Sequence, residues 1–125
     1  MRSEDSFQYL DMMDQWLILK QEGKTLERFF MSNQIKRIAI YGMSIYARHL
    51  IRELEGGVVE VIYGIDRNKV DEYKGIPVFG LNNSLPAVDA VINTVLWDHV
   101  NIKVQVEKMI ECPVISLEDV VYGSY

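Results

Sequence analysis

From Ser6 to Glu22 apolar residues recur at spacings of three and four and fall into two neighbouring stripes. One runs through Phe7, Leu10, Met13 and Leu17, the other through Tyr9, Met12, Trp16 and Leu19. With acids at the front, Lys20 near the end and Gly23 beyond it, the pattern predicts a capped helix whose apolar face is wider than one solvated side requires. Thr25 stands as an N-cap for a short second helix through Leu26, Phe29 and Phe30, ended by the polar Ser32 to Gln34. The period then changes. Ile35 to Tyr41 is a continuous β-rich run, Ile45 to Glu55 is helical, Gly56 and Gly57 end it, and Val58 to Ile65 is again a strand.

Strand, helix and strand in this order predict a crossover between parallel neighbours, and strands this apolar suit a sheet covered on both faces. A charged turn from Asp66 to Gly75 leads to a short strand, Ile76 to Phe79, in which Pro77 points to an edge or a strand's first residue. Val88 to Thr94 reads as a buried strand, Val100 to Ile110 as a helix, Pro113 to Ser116 as a last strand and Leu117 to Tyr122 as a terminal turn. The expected fold class is α/β, a doubly wound Rossmann-like parallel sheet over residues 35–125, preceded by a helical hairpin over residues 1–34.

Length narrows the function. At 125 residues the chain is one domain, short of a two-lobed dinucleotide-binding enzyme. A net charge of -5 without a basic block makes nucleic acid and anionic membrane poor partners. No apolar run reaches the roughly 20 residues of a membrane span. The first residues carry acids where a signal peptide is basic and then apolar, so a cytoplasmic location is expected. Cys112 is the single cysteine, which leaves no internal disulfide and reads as an inert core thiol.

The loop after the first strand carries the candidate chemistry. A dinucleotide fingerprint is G-x-G-x-x-G/A followed by an acid about twenty residues on, and here the register is Gly42, Ser44, Ala47 and then Asp66. Gly42 suits the tight turn, while Ser44 replaces the glycine that lets backbone approach a pyrophosphate. The free amides of residues 44–47, with the helix dipole, favour an anion, and Met43, Ser44 and Ile45 join Gly42 as candidate binding residues. Ser44 is equally placed to be the helix N-cap. Asp66, at the end of the second strand, is placed to accept from ribose hydroxyls, with Arg67 and Asn68 beside it, or is a solvated acid that starts the turn; an acid there favours NAD over NADP. Asn93, Thr94 and Trp97, after the fourth strand, form a candidate far wall; the other reading, preferred for Trp97, has it plug the sheet end while Asp98 caps the following helix.

Catalytic groups are sparse. His49 and His99 are the only histidines, no metal-ligand cluster is apparent, and no Tyr-x-x-x-Lys pair is present. The segments IAIYGMSIYARHLIREL, VIYGIDRN, GIPVFGL, VDAVINT and VISLEDVVY, with WLILKQEGKTLERFF ahead of them, resemble in order and spacing the small Rossmann-like modules attached to bacterial surface-polysaccharide enzymes. These include sugar acetyltransferase N-terminal domains, nucleotide-sugar dehydratase relatives and glycosyltransferase-appended domains. The resemblance implies a nucleotide, NAD or nucleotide-sugar held at the positions of Gly42 to Ser44 and Asp66, in glycan assembly and in the service of a larger enzyme. Two further readings stand beside it. One is an interaction domain that dimerises through Met12, Trp16 and Leu19, and the other is a complete small NAD-dependent oxidoreductase.

Overall fold

The structure, a computed structural model, describes residues 3–68 and 71–125. In chain order these form α1 (Ser3–Gln21), α2 (Glu27–Ser32), β1 (Arg37–Tyr41), α3 (Ile45–Leu54), β2 (Glu60–Ile65), β3 (Glu72–Tyr73), β4 (Ile76–Phe79) and β5 (Ala90–Asn93). A 3-10 turn (Leu96–Asp98), α4 (His99–Glu107), β6 (Val114–Ser116) and α5 (Leu117–Tyr122) follow. Residues 69 and 70, within the turn expected from Asp66 to Gly75, lie outside the described residues.

The strands make one six-stranded sheet in the order β3-β4-β2-β1-β5-β6, parallel throughout except for the β3–β4 pair. This is an α/β architecture compatible with a Rossmann-like fold. The parallel strands run outward from β1 through β2 to β4 and restart on the other side of β1 at β5, so a crevice opens at the carboxyl ends of β1, β2 and β5. Pro77 is not on the edge. β4 lies between β2 and β3, and its pairing with β2 begins only at Val78, one residue past the missing N–H.

Side chains alternate across the sheet with the period of two expected of strands. Ile38, Ile40, Ala90 and Ile92 face a core built with α1, α2, α3 and α5, while Ala39, Tyr41, Tyr63 and Val91 face Ile102 and Val106 of α4. The first two helices therefore share a core with the sheet. Of the two stripes on α1, Tyr9, Met12, Trp16 and Leu19 are buried, whereas Phe7, Leu10 and Leu17 are 63%, 62% and 56% exposed. Met12, Trp16 and Leu19, around which an interaction face was expected, are packed inside the fold, and the stripe of α1 left exposed is the other one.

Two end signals also differ from expectation. Thr25 does not cap α2; Leu26 holds that position without a side-chain cap, and its amide donates instead to Glu53 Oε2 of α3 (3.0 Å). Residues 117–122 are helical rather than a turn, because Ser116 Oγ accepts from Glu118 N (3.2 Å) and Glu118 and Asp119 complement the dipole of the first turn.

At the opposite sheet end Asp89 ties the entry of β1 to the strand beside it. Its Oδ2 accepts from the amides of Lys36 and Arg37, both at 2.9 Å, and these bonds hold its carboxyl below the usual range. A depressed native pKa means that the stabilisation is full above the unfolded carboxylate value, about 3.9, and is lost as pH falls through the native one. Asp89→Ala is accordingly expected to lower stability at neutral pH, with the gap to the parent closing in acid, as measured by urea unfolding across that range.

Candidate functional site

The crevice holds a cleft of about 340 Å³ bordered by the β1–α3 loop, the end of β2 and the segment after β5. Gly42 begins the loop at φ +85°, and a Cβ there would meet Thr94 Oγ1 at 2.7 Å and Val95 Cγ2 at 2.8 Å. Both the turn and the close approach need glycine. Met43 folds inward: its side chain packs over the bare backbone of Gly64, where an added Cβ would lie 2.5 Å from its sulfur.

Asp66 faces this loop. Its Oδ2 accepts from Met43 N (2.7 Å) and its Oδ1 from Asn68 N (2.8 Å), so the carboxylate joins the end of β2 to the turn after β1. An ionised carboxylate offers about four acceptor positions, so each oxygen retains capacity for a further donor. Ser44 is the N-cap of α3, its Oγ accepting from Tyr46 N (3.3 Å). Among the described residues the amides of Ser44, Ile45 and Ala47 have no hydrogen-bond acceptor. They are the orphan donors of a ten-residue helix. Ser44 borders the cleft, whereas Ile45 does not and its side chain is exposed.

Asn93 and Thr94 do not form the far wall. Both are buried and committed to main chain. Thr94 Oγ1 lies 2.7 Å from Gly42 O and 3.1 Å from Tyr41 O, to which it can donate. Asn93 Nδ2 donates to Val95 O (3.1 Å), and Oδ1 accepts from Val95 N (2.9 Å). The same Nδ2 lies 3.0 Å from His99 Nδ1, so an amide donor there requires that ring nitrogen to accept. These polar residues shape the loop that presents the wall. The wall itself is Val95, Trp97, Asp98 and Ile102, with Arg67 and Asn68 across from it.

Trp97 is 52% exposed and borders the cleft, so it does not plug the sheet end. Asp98 occupies the position before α4 but makes no cap bond; its Oδ1 accepts from Asn101 Nδ2 (2.8 Å). The signal for this wall was a polar pair at a strand's end followed by an exposed aromatic, but sequence does not reveal which of the two side chains turns back on the backbone. Away from the cleft, burial raises the pKa of the half-buried Cys112 thiol, which keeps it protonated. Among the described residues no group of three or more His, Cys, Asp or Glu side chains is arranged to hold a metal ion. No helix there is long and apolar enough to cross a membrane.

No protein-family model matches the chain, and no curated protein matches it either.

Proposed function

We propose that this chain is a doubly wound Rossmann-like module, its sheet preceded by a helical hairpin, that binds a nucleotide or nucleotide-sugar without itself carrying out catalysis. The observation that carries the reading is that the Asp66 carboxylate and Ser44, whose open amide begins α3, border one cleft. In this reading Ser44 and Ile45 amides meet a phosphate, Asp66 accepts from ribose hydroxyls, Arg67 balances charge, and the base or sugar ring lies against Trp97. A volume of about 340 Å³ is at the low end for small-molecule sites and suits one nucleoside with its phosphates better than a whole buried dinucleotide. NAD would then be held by one half.

Ser44 and Asp66 already hold backbone amides, and His99 and Asp98 are engaged by the side chains of Asn93 and Asn101, which favours a holding role over a chemical one. Service to a glycan-assembling enzyme completes the proposal and rests on the sequence resemblance alone, while a cytoplasmic location rests on the acidic first residues.

Thermal unfolding with UDP-sugars, UDP, NAD and NADH tests the reading. At a concentration of about 100 times the dissociation constant a true ligand adds roughly 2.7 kcal/mol. Trp97→Ala and Arg67→Ala are expected to reduce that gain while leaving the ligand-free protein unchanged, since both side chains are exposed. A parent protein that no compound stabilises would remove the proposal. Asp66→Ala is a poor probe of binding alone, because it also releases two backbone amides.

A further inference from the structure

One hydroxyl reaches the turn behind the cleft wall from a helix that does not line the cleft. Tyr9, midway along α1, is 6% exposed. Its hydroxyl donates to Thr94 O (2.8 Å) and accepts from Leu96 N (3.0 Å), closing the turn that leads to Trp97. Its ring lies nearly flat on Tyr46, with centroids 4.2 Å apart and planes at 17°. Tyr46 belongs to the first turn of α3, and its own amide is held by Ser44. Through its oxygen Tyr9 touches the wall that carries Trp97 and Asp98. Through its ring it touches the helix start that offers the open amides.

We infer that Tyr9 is a positioning residue that sets the separation of the two lips of the cleft, and that α1 acts on the site through it. Ring and oxygen do different jobs. Without the oxygen, Thr94 C=O and Leu96 N–H are buried with no partner, so the turn must shift or admit water, and Trp97 is the next residue along. Without the ring, the first turn of α3 loses its lateral support. Burial raises the phenol pKa against the opposing effect of the Leu96 bond, which keeps the hydroxyl able to donate at neutral pH. The inference depends on the nucleotide reading for the identity of the ligand and not for the geometry.

Tyr9→Phe separates the two jobs. The indole N–H resonance of Trp97 in the ligand-free protein is expected to move or broaden, while that of Trp16, on the same helix as the substitution, stays in place. Any nucleotide that stabilises the parent should bind the variant up to about tenfold more weakly, because binding must then restore the wall that the Tyr9 hydroxyl held in place beforehand. If Tyr9→Phe fails to fold, Tyr46→Leu provides the matching test from the other lip, with the Ser44 and Ile45 amide resonances moving and the Trp97 indole staying. An unmoved Trp97 signal in folded Tyr9→Phe, or unmoved Ser44 and Ile45 signals in Tyr46→Leu, overturns the inference. A displaced Trp97 signal in a protein that answers to no nucleotide supports the geometry and ends the nucleotide reading instead.

Discussion

Gly42→Ala is expected to destabilise the protein by about 4 kcal/mol, the sum of a strained left-handed backbone and an overfilled contact. The added methyl group would sit 2.7 Å from Thr94 Oγ1 and 2.8 Å from Val95 Cγ2. Thr94 cannot swing aside without breaking its bond to Gly42 O (2.7 Å) or Tyr41 O (3.1 Å), which lie on the same turn. For a domain of this length the loss corresponds to a midpoint lower by roughly 15 °C in thermal unfolding. Gly56→Ala is the control. Gly56 also has a positive φ, +74°, but nothing lies within 4 Å of its added Cβ, so only the backbone strain of about 1 kcal/mol is expected. Equal effects at the two positions would mean that the turn after β1 relaxes freely. A larger effect at Gly42 would assign the difference to the contact with the β5 loop, and nucleotide stabilisation should vanish with it.

That glycine was readable because a β-rich run stopping at Gly and passing into a helix has few other meanings. The parallel strands were readable for a related reason: they are apolar on both faces, and the structure buries Ile38 and Ile40 on one side and Ala39 and Tyr41 on the other. The two stripes of α1 were not separable in advance, since each is apolar enough to be core. What distinguishes them is tertiary. Tyr9 and Trp16 carry polar atoms that find partners only against the sheet end and α3. Asn93 and Thr94 misled for the opposite reason, because polar residues at a strand's carboxyl end are where ligands gather, and here both were needed to hold backbone. The C-terminal helix was legible in part, through Ser116 followed by two acids, yet six residues fall short of a periodic signal.

Glu53→Ala is expected to cost about 3 kcal/mol, because the carboxylate joins three helices at a point where its side chain is only 5% exposed. Oε1 accepts from Trp16 Nε1 (3.4 Å) and lies 3.2 Å from Lys20 Nζ, while Oε2 accepts from Leu26 N (3.0 Å). Truncation leaves an indole N–H and the amide at the start of α2 without acceptors. Lys20→Met separates the ion pair from the hydrogen bonds: the lysine is 45% exposed, so its loss should cost no more than about 1 kcal/mol. Glu53→Gln, which retains an acceptor oxygen, should fall between the two. Urea unfolding measures all three, and a Lys20→Met loss as large as that of Glu53→Ala would show that charge attraction, and not the sealing of buried donors, fastens the helices.

Because Met12, Leu19, Leu26 and Phe30 sit in the same apolar mass as the sheet, trimming the chain ahead of residue 35 would not release a smaller working unit. It would strip the cover from Ile38, Ile40, Ala90 and Ile92 and take away the phenol that steadies the cleft. Such a fragment would offer water a broad greasy plane, and clumping is its natural fate.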